Sequence, residues 1–451
     1  MRSADVVVAG AGVLGASLSF WLSSLFDCEV LVVDPGRSPA LHSSSRNTGV
    51  VHRPFYLDPS RKGVFARSAL LSYPLWRSLS ESHSLPWSQV GTLEVALGET
   101  GLGTLRKYSS WGRENGMAEE ELDLLDARKT KALEPEVECA GALYSKADAS
   151  VDFRAFTRKL VEFSQARGVR FLAETAVVRV EEGREAGVTV ELEGEGGKTS
   201  VRSRLFINAA GGSALRLART MGLGRSYGAL HFRGEYWVVA EPFASSVGRN
   251  VYVTPKHNRL PFLDPHLVVR ADGSRQVGPN AVPVTGPHVY QGLGLRDATG
   301  LLEPPLSPKL RLLADPEFLA LLSEEWRSSL SKAALCDRVR RFVPRLSKGM
   351  LVRRGVSGVR SPLIGEEGFV PEAVLLHSGH SCHILNFNSP GATGAPAFSA
   401  KVVKELIERG CLDGLHPSAA QHPLKGWDFV EVAEGFRNLS DGRRQPTSTK
   451  T

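Results

Sequence analysis

The sequence predicts a mixed α/β fold of two domains, one built on a parallel sheet and one on an antiparallel sheet. Three observations carry that expectation. The chain has 451 residues, two to three times a usual domain, so a single compact core is not expected. Its N-terminus reads strand, glycine turn, helix, strand. A later stretch, Ala229 to Val282, reads instead as short alternating strands around an Ala-Asp-Gly-Ser hairpin turn. Apolar residues make up 42% and charged residues 23%, which excludes a globally disordered chain.

The first element is the β-branched run Val6 to Val8, followed by G-x-G-x-x-G at Gly10, Gly12 and Gly15. A helix pattern and a second strand, Glu29 to Asp34, come next. This is the context a Rossmann-like dinucleotide fingerprint requires. Gly10 permits the tight turn, Gly12 lets backbone approach a pyrophosphate, and Gly15 lets the helix pack close to the strand. Asp34, at the end of the second strand, is placed to accept ribose hydroxyls. The same segment, Val6 to Phe26, is 21 residues without a charge and has the length of a membrane span. The glycine spacing and its four serines favour a buried strand and helix instead. The loop after the acid, Ser43 to Tyr56, is rich in hydroxyls, amides and glycine. It suits FAD better than a nicotinamide cofactor, because it can wrap a pyrophosphate and then pass beneath a flavin. Ser44, Ser45, Asn47 and Gly49 are its candidate contacts.

Further along, Val151 to Gly168 has Phe153, Phe156, Leu160 and Phe163 at helical spacing. The strand patterns that follow include Val177 as a cofactor contact. Val201 to Gly212 closes on a small-residue turn, with Ala210 and Gly211 another place for backbone to meet a nucleotide. Pro304 to Arg345 reads as helical. From Ala373 the pattern is a strand, a loop rich in Gly, His, Asn and Ser, and a helix from about Ala392 to Arg409. The positive end of that helix faces whatever the loop cradles.

Taken together, GAGVLG, Asp34, RNTGVVH, INAAGG, FRGEYW, VGPNAV, GVR and HILNFNSPGAT resemble the D-amino-acid-oxidase-like FAD oxidoreductases. Within them the chain most resembles the L-2-hydroxyglutarate dehydrogenase/oxidase family. The matching positions are Asn47, Gly49 and His52; Phe232 to Tyr236; Gly278 to Ala281; and His383, Asn386, Ser389, Pro390 and Thr393. The motifs keep the family's order over roughly residues 4 to 410. The resemblance implies an FAD-binding domain assembled from residues 1–85, 151–228 and 351–412. It also implies an antiparallel-sheet substrate domain from 86–150 and 229–350, with a tail at 413–451. Departures are Arg53 and Pro54 after His52, Trp237 for a second Tyr, and Gly391 where Ala is common. Arg53 is expected either to add a cation beside the flavin or to narrow the pocket, which opens the question of the exact substrate.

The implied reaction is oxidation of a small 2-hydroxy acid, L-2-hydroxyglutarate to 2-oxoglutarate, by hydride transfer to flavin N5. It needs a base, and histidine titrates near neutral pH. His52 is the first candidate and His383 the second. Arg360 and Arg233 are candidate carboxylate clamps, because Arg presents a planar fork; Arg233 has internal pairing with Glu235 as its alternative. Tyr236 is a candidate hydrogen-bond donor. Gly379, His380, Asn388, Ser389, Gly391 and Thr393 complete the expected cofactor contacts. His377, His380, Cys382 and His383 are of zinc-ligand type, yet on a strand and loop they need not converge, so no metal is expected.

Lys plus Arg is 55 against 48 acids, a net charge of +7. Arg338 to Arg354 holds seven basic residues and no acid. Nucleic acid is not expected, since the stretch lacks interleaved aromatics beyond Phe342. A small anionic substrate explains the charge better, and a peripheral contact with the inner face of a membrane remains open. The five cysteines, Cys28, Cys139, Cys336, Cys382 and Cys411, form no C-x-x-C pair, consistent with a reducing cytoplasm. Three questions stay open on the residues alone. The substrate alternatives are glycerol 3-phosphate or an amino acid. The acceptor is oxygen, a quinone or another flavoprotein. A flavoprotein that binds or modifies RNA is the remaining competitor.

Overall fold

The computed structural model describes residues 2–183, 187–257, 260, 262, 264–292, 294, 304–419 and 424–437. Two eight-stranded sheets organise them. In the first sheet, five strands run parallel in the order Arg170–Leu172, Val30–Val33, Arg2–Ala9, Gly197–Asn208 and Ser381–Leu385. The 12-residue Gly197–Asn208 strand serves two neighbourhoods. Its first half carries the antiparallel strands Val188–Gly194 and Thr175–Glu182, and its last residues join the parallel core.

Both faces of this sheet are covered, so its strands read as continuous apolar runs. Side chains alternate. Val6 and Val8 enter one core with helices Val13–Leu25, Phe153–Ala166 and Gly391–Glu408. Val7 and Ala9 enter another with Val180, Val190 and Leu217. The uncharged N-terminal stretch is thereby a strand and a buried helix. Among the described residues no helix is long and apolar enough to cross a membrane.

The second sheet runs Leu351–Arg354, Trp237–Val239, Arg275–Gly278, His266–Val269, Asn250–Val253, Thr92–Ala96, Gly141–Ser145 and Leu122–Asp126. Every pairing is antiparallel except that of Asn250–Val253 with Thr92–Ala96. One face packs Leu93, Val95, Val251 and Leu267 against Leu335, Val339 and Phe342. The opposite face carries Thr92, Glu94, Tyr252 and His266, polar residues that look towards the first sheet.

Four features depart from the sequence reading. Ala229 to Val282 is not one sheet: His231–Gly234 pairs with Val282–Val284 and Gly358–Arg360 in a separate three-stranded sheet. The chain leaves it at Glu235, whose N–H donates to the Asn280 side chain at 2.9 Å instead of a ladder partner. Leu351–Arg354, grouped above with the FAD-binding segments, is an edge strand of the second sheet because it pairs with Trp237–Val239. The His-rich segment is a tight hairpin, Val374–Ser378 against Ser381–Leu385, with Gly379 and His380 at its turn. Finally, the described part of the C-terminal tail contributes to the core through Leu424, Trp427, Val432, Ala433 and Phe436. Trp427 is buried, donates its indole N–H to Leu75 O at 3.1 Å and meets Phe20 edge-on. The end of the tail, from 438 on, lies outside the described residues.

Because Trp427 fills the core beneath the Val13–Leu25 helix, Trp427→Ala is expected to cost about 3–5 kcal/mol of stability. Equilibrium chemical unfolding measures this; a change below about 1 kcal/mol would show that the tail is dispensable to that core.

Candidate active site

A cavity of about 810 Å³ lies between the two sheets. One stretch of its wall comes from the N-terminal fingerprint. Gly10 has φ +104°, and a Cβ there would sit 2.5 Å from Ala209 O. A Cβ on Gly12 would come within 2.9 Å of Ser44 Oγ. The Val13–Leu25 helix opens on Gly12 with no side-chain cap of its own and no acid in its first turn, leaving its positive end to the cavity. Ser44 Oγ accepts the Val13 N–H at 2.8 Å. Asp34 accepts the N–H groups of Ala11 and Gly36, each at 2.7 Å, and its remaining lone pairs are open to ribose hydroxyls. Asn47 folds the loop that follows, donating to Ser43 O and Ser44 O and accepting from Gly49 N. Val177, Ala210 and Gly211 complete this wall, and Asn388, Ser389, Gly391 and Thr393 line the cavity at the start of the Gly391–Glu408 helix.

These residues fit FAD: side-chain-free approaches at Gly10 and Gly12, two helix N-termini, an acid and small residues, in a volume at the upper end of ligand cavities. Five of the expected contacts are not among the lining residues. Gly15 is a packing glycine, its hypothetical Cβ only 1.8 Å from Gly10 O. Ser45 Oγ donates to His42 O. Gly49 turns the chain at φ +72°, beside Val151 O. Gly379 and His380 form the hairpin turn, where His380 N–H donates to Glu182. Ser381–Leu385 runs parallel to Gly197–Asn208 and Arg2–Ala9, so the turn that precedes it lies at the opposite end of the sheet from Gly10 and Ala210, which follow those strands.

A second stretch of wall holds the reactive groups. His52 follows the Val50–Val51 strand, and its Nδ1 lies 3.0 Å from Asp148 Oδ2. Asp148 is fully buried. It also accepts Thr92 Oγ1 at 2.8 Å, Ser145 Oγ at 2.7 Å and the Arg53 N–H at 3.0 Å. Arg360 donates to Ser389 Oγ at 2.9 Å and lies near Tyr56, Tyr236 and Tyr252. Burial lowers the Arg360 pKa from its usual value, pushes Tyr236 up to about 12 and raises Tyr56 and Tyr252. The tyrosines are therefore neutral donors. His266 stacks on Tyr252 at 3.8 Å, and burial pulls its pKa down to about 3. Tyr252 Oη and His266 Nε2 are buried and without a hydrogen-bond partner among the described residues. Lys62 lines the same cavity; burial first, and the charge of Arg360 second, lower its pKa.

Asp148, Lys62, Tyr252 and His266 escaped the sequence reading. Tyr252 and His266 had a readable signal, the alternation of strands whose other face is apolar. Asp148 had none, since it meets His52 across 96 positions of sequence.

Three expected participants lie elsewhere. His383 is buried in the parallel sheet between Asn208 Nδ2 and Ser381 Oγ, both 3.0 Å away, and burial lowers its pKa to about 4. It is a strand-to-strand tie with no route to the cavity wall. Arg233 is paired with Glu235 at 2.9 Å. On its strand Phe232 and Gly234 line the cavity, so alternation turns Arg233 the other way. Arg360 is the cross-strand partner of Phe232 and shares its side. Arg53 likewise points away from His52, to Glu121 at 2.9 Å and over the Tyr73 ring, so it neither adds a cation to the cavity nor narrows it. The basic run is also largely neutralised: Arg338 pairs with Asp264 and Glu325, Arg340 with Asp337, Arg345 with Glu136 and Arg354 with Glu235. Its charge does not belong to the cavity. His377 lies 2.9 Å from Glu405, and among the described residues no group of His, Cys, Asp and Glu is arranged to hold a metal ion.

The family model described as FAD dependent oxidoreductase (DAO) matches residues 5–406. L-2-hydroxyglutarate dehydrogenase of Escherichia coli strain K12 is 26% identical over 411 residues, 89% of this chain and 93% of that one. The mitochondrial L-2-hydroxyglutarate dehydrogenase of Homo sapiens is 24% identical over 425 residues, 90% of this chain and 89% of that one. Among solved structures, L-α-glycerophosphate oxidase from Mycoplasma pneumoniae with FAD bound superposes with a TM-score of 0.71. It does so at 21% identity, over 94% of this chain and 98% of that one.

Glu94, on the polar face of the second sheet, is pushed up to about 8 by burial, then by Asp264 and Asp148. Between the ordinary 4.5 and about 8, the folded protein holds a proton that the unfolded chain releases, so this group makes stability fall as pH rises. Glu94→Gln removes that penalty. Its Tm relative to the unsubstituted protein is expected to rise by a few degrees between about pH 5 and pH 8; a Tm difference that does not change with pH contradicts the assignment.

Proposed function

The chain belongs to the DAO family of FAD-dependent oxidoreductases, and from that premise we propose that it oxidises a small 2-hydroxy acid, L-2-hydroxyglutarate to 2-oxoglutarate. The observation that carries this reading is one cavity holding both an imidazole anchored by a buried carboxylate, His52 on Asp148, and a guanidinium among neutral tyrosines, Arg360. Similarity to L-2-hydroxyglutarate dehydrogenases along nearly the whole chain supports the same substrate class.

Each side chain then has a task. Arg360 holds the carboxylate next to the reacting carbon, its fork matching the two oxygens. Tyr236 and Tyr56, kept protonated by burial, donate hydrogen bonds without adding negative charge beside that anion. Lys62 offers a second cation in the same cavity, which favours a dicarboxylate over a monocarboxylate. Tyr252 and His266 wall the same cavity. His52 takes the hydroxyl proton. Gly10, Gly12, Asp34, Ser44, Val177, Ala210, Gly211, Asn388, Ser389, Gly391 and Thr393 would hold the FAD, which when bound supplies the two-electron acceptor.

Turnover with a panel of 2-hydroxy acids, amino acids and glycerol 3-phosphate tests the substrate; activity confined to the latter two classes overturns the proposal. Arg360→Met is expected to raise KM about 10- to 100-fold, the worth of a charged hydrogen-bonded pair. Arg340→Met, on the surface beside Asp337, is expected to leave KM within about twofold. Equal effects from the two variants would remove Arg360 from the substrate site.

A further inference from the structure

We propose that Asp148 is a positioning residue that fixes the tautomer of His52, so that Nε2 carries the bare lone pair facing the cavity. The inference rests on the reading of His52 as the base. Its grounds are the donors around the carboxylate. Oδ1 accepts the Arg53 N–H at 3.0 Å and Ser145 Oγ at 2.7 Å, while Oδ2 accepts Thr92 Oγ1 at 2.8 Å and faces His52 Nδ1 at 3.0 Å. Every neighbour donates, so a buried carboxylate here is held as an acceptor on both oxygens. An acceptor at 3.0 Å requires a hydrogen on Nδ1. The other ring nitrogen, Nε2, is then the acceptor, and the ring lines the cavity edge-on to Tyr56 and Tyr252. A wrong tautomer would present an N–H to the substrate hydroxyl, and a ring nitrogen that already carries a hydrogen has no in-plane lone pair with which to take the proton.

The geometry also says what an amide would do. The Arg53 N–H is backbone and cannot turn its donor away, so in Asp148→Asn the carbonyl oxygen must stay at the Oδ1 position. The NH2 then occupies the Oδ2 position. Thr92 can rotate its hydroxyl to accept from it. His52 can answer only by losing the proton on Nδ1, which moves its hydrogen to Nε2. The substitution is nearly isosteric yet inverts the tautomer, as the same Asp→Asn change does for the histidine of a catalytic triad.

The test uses the oxidised holoenzyme with 15N-labelled histidine. In the unsubstituted protein, the resonances assigned to His52 by their loss in His52→Gln are expected to show protonated Nδ1 and bare Nε2. In Asp148→Asn they are expected to exchange roles. Anaerobic reduction of the flavin by L-2-hydroxyglutarate is expected to slow at least about 100-fold in that variant, with KM little changed and FAD content retained. A hydrogen on Nε2 in the unsubstituted protein overturns the inference, whether or not Asp148→Asn folds. So does flavin reduction at the normal rate in Asp148→Asn when His52→Gln is slow. Normal rates in both variants would instead remove His52 as the base, a failure of the functional reading and not of the tautomer assignment, which the spectrum reports independently.

Discussion

A fully buried carboxylate at Asp148 joins the two halves of the molecule. Its donors come from the His52–Arg53 segment, which continues the loop leaving the fingerprint, and from Thr92 and Ser145 on the second sheet. A buried carboxylate in such a place is tolerable only while its donors stay in position, and each hydrogen bond to a charged group is worth about 1.5–3 kcal/mol. The loop therefore cannot shift against the second sheet without stranding that charge. The same requirement that holds the sheets in register places an imidazole at the cavity wall.

The rest of the wall follows from alternation along strands. On the second sheet, Leu93, Val95, Val251 and Leu267 are committed to the helical layer behind it, which obliges Tyr252 and His266 to face the cavity. On the small three-stranded sheet, Phe232 and Arg360 are cross-strand partners, so the guanidinium arrives on the cavity side while Arg233 is turned to Glu235. A cation that ends in a site and one that ends in an internal pair thus differ only in strand parity. Burial then sets the electrostatics: it keeps the tyrosines neutral and His266 uncharged, and it lowers the pKa values of Arg360 and Lys62.

Local periodicity and turn chemistry made the parallel sheet legible. The glycine fingerprint, the Asp152-capped helix and the acid at Asp34 each declare themselves within a short window. Of the site, His52, Arg360 and Tyr236 were legible as residue types in matching motifs, and they do line the cavity. His383, Arg233 and His380 were equally prominent in the sequence and line nothing, because a motif does not state which face of a strand or turn it occupies. Asp148 and Lys62 were illegible for the opposite reason. Each has no local pattern, and each matters through a partner far along the chain. The basic run shows the limit of charge counting, since three of its six arginines, Arg338, Arg345 and Arg354, meet acids distant in sequence.

The central claim is that this cavity, loaded with FAD, takes two electrons from a 2-hydroxy acid held by Arg360. Anaerobic titration of the oxidised holoenzyme with L-2-hydroxyglutarate, following flavin absorbance and assaying 2-oxoglutarate, tests it most directly. The account expects the flavin to bleach with one 2-oxoglutarate formed for each FAD reduced. A flavin that stays oxidised with L-2-hydroxyglutarate but bleaches with glycerol 3-phosphate or an amino acid would contradict it.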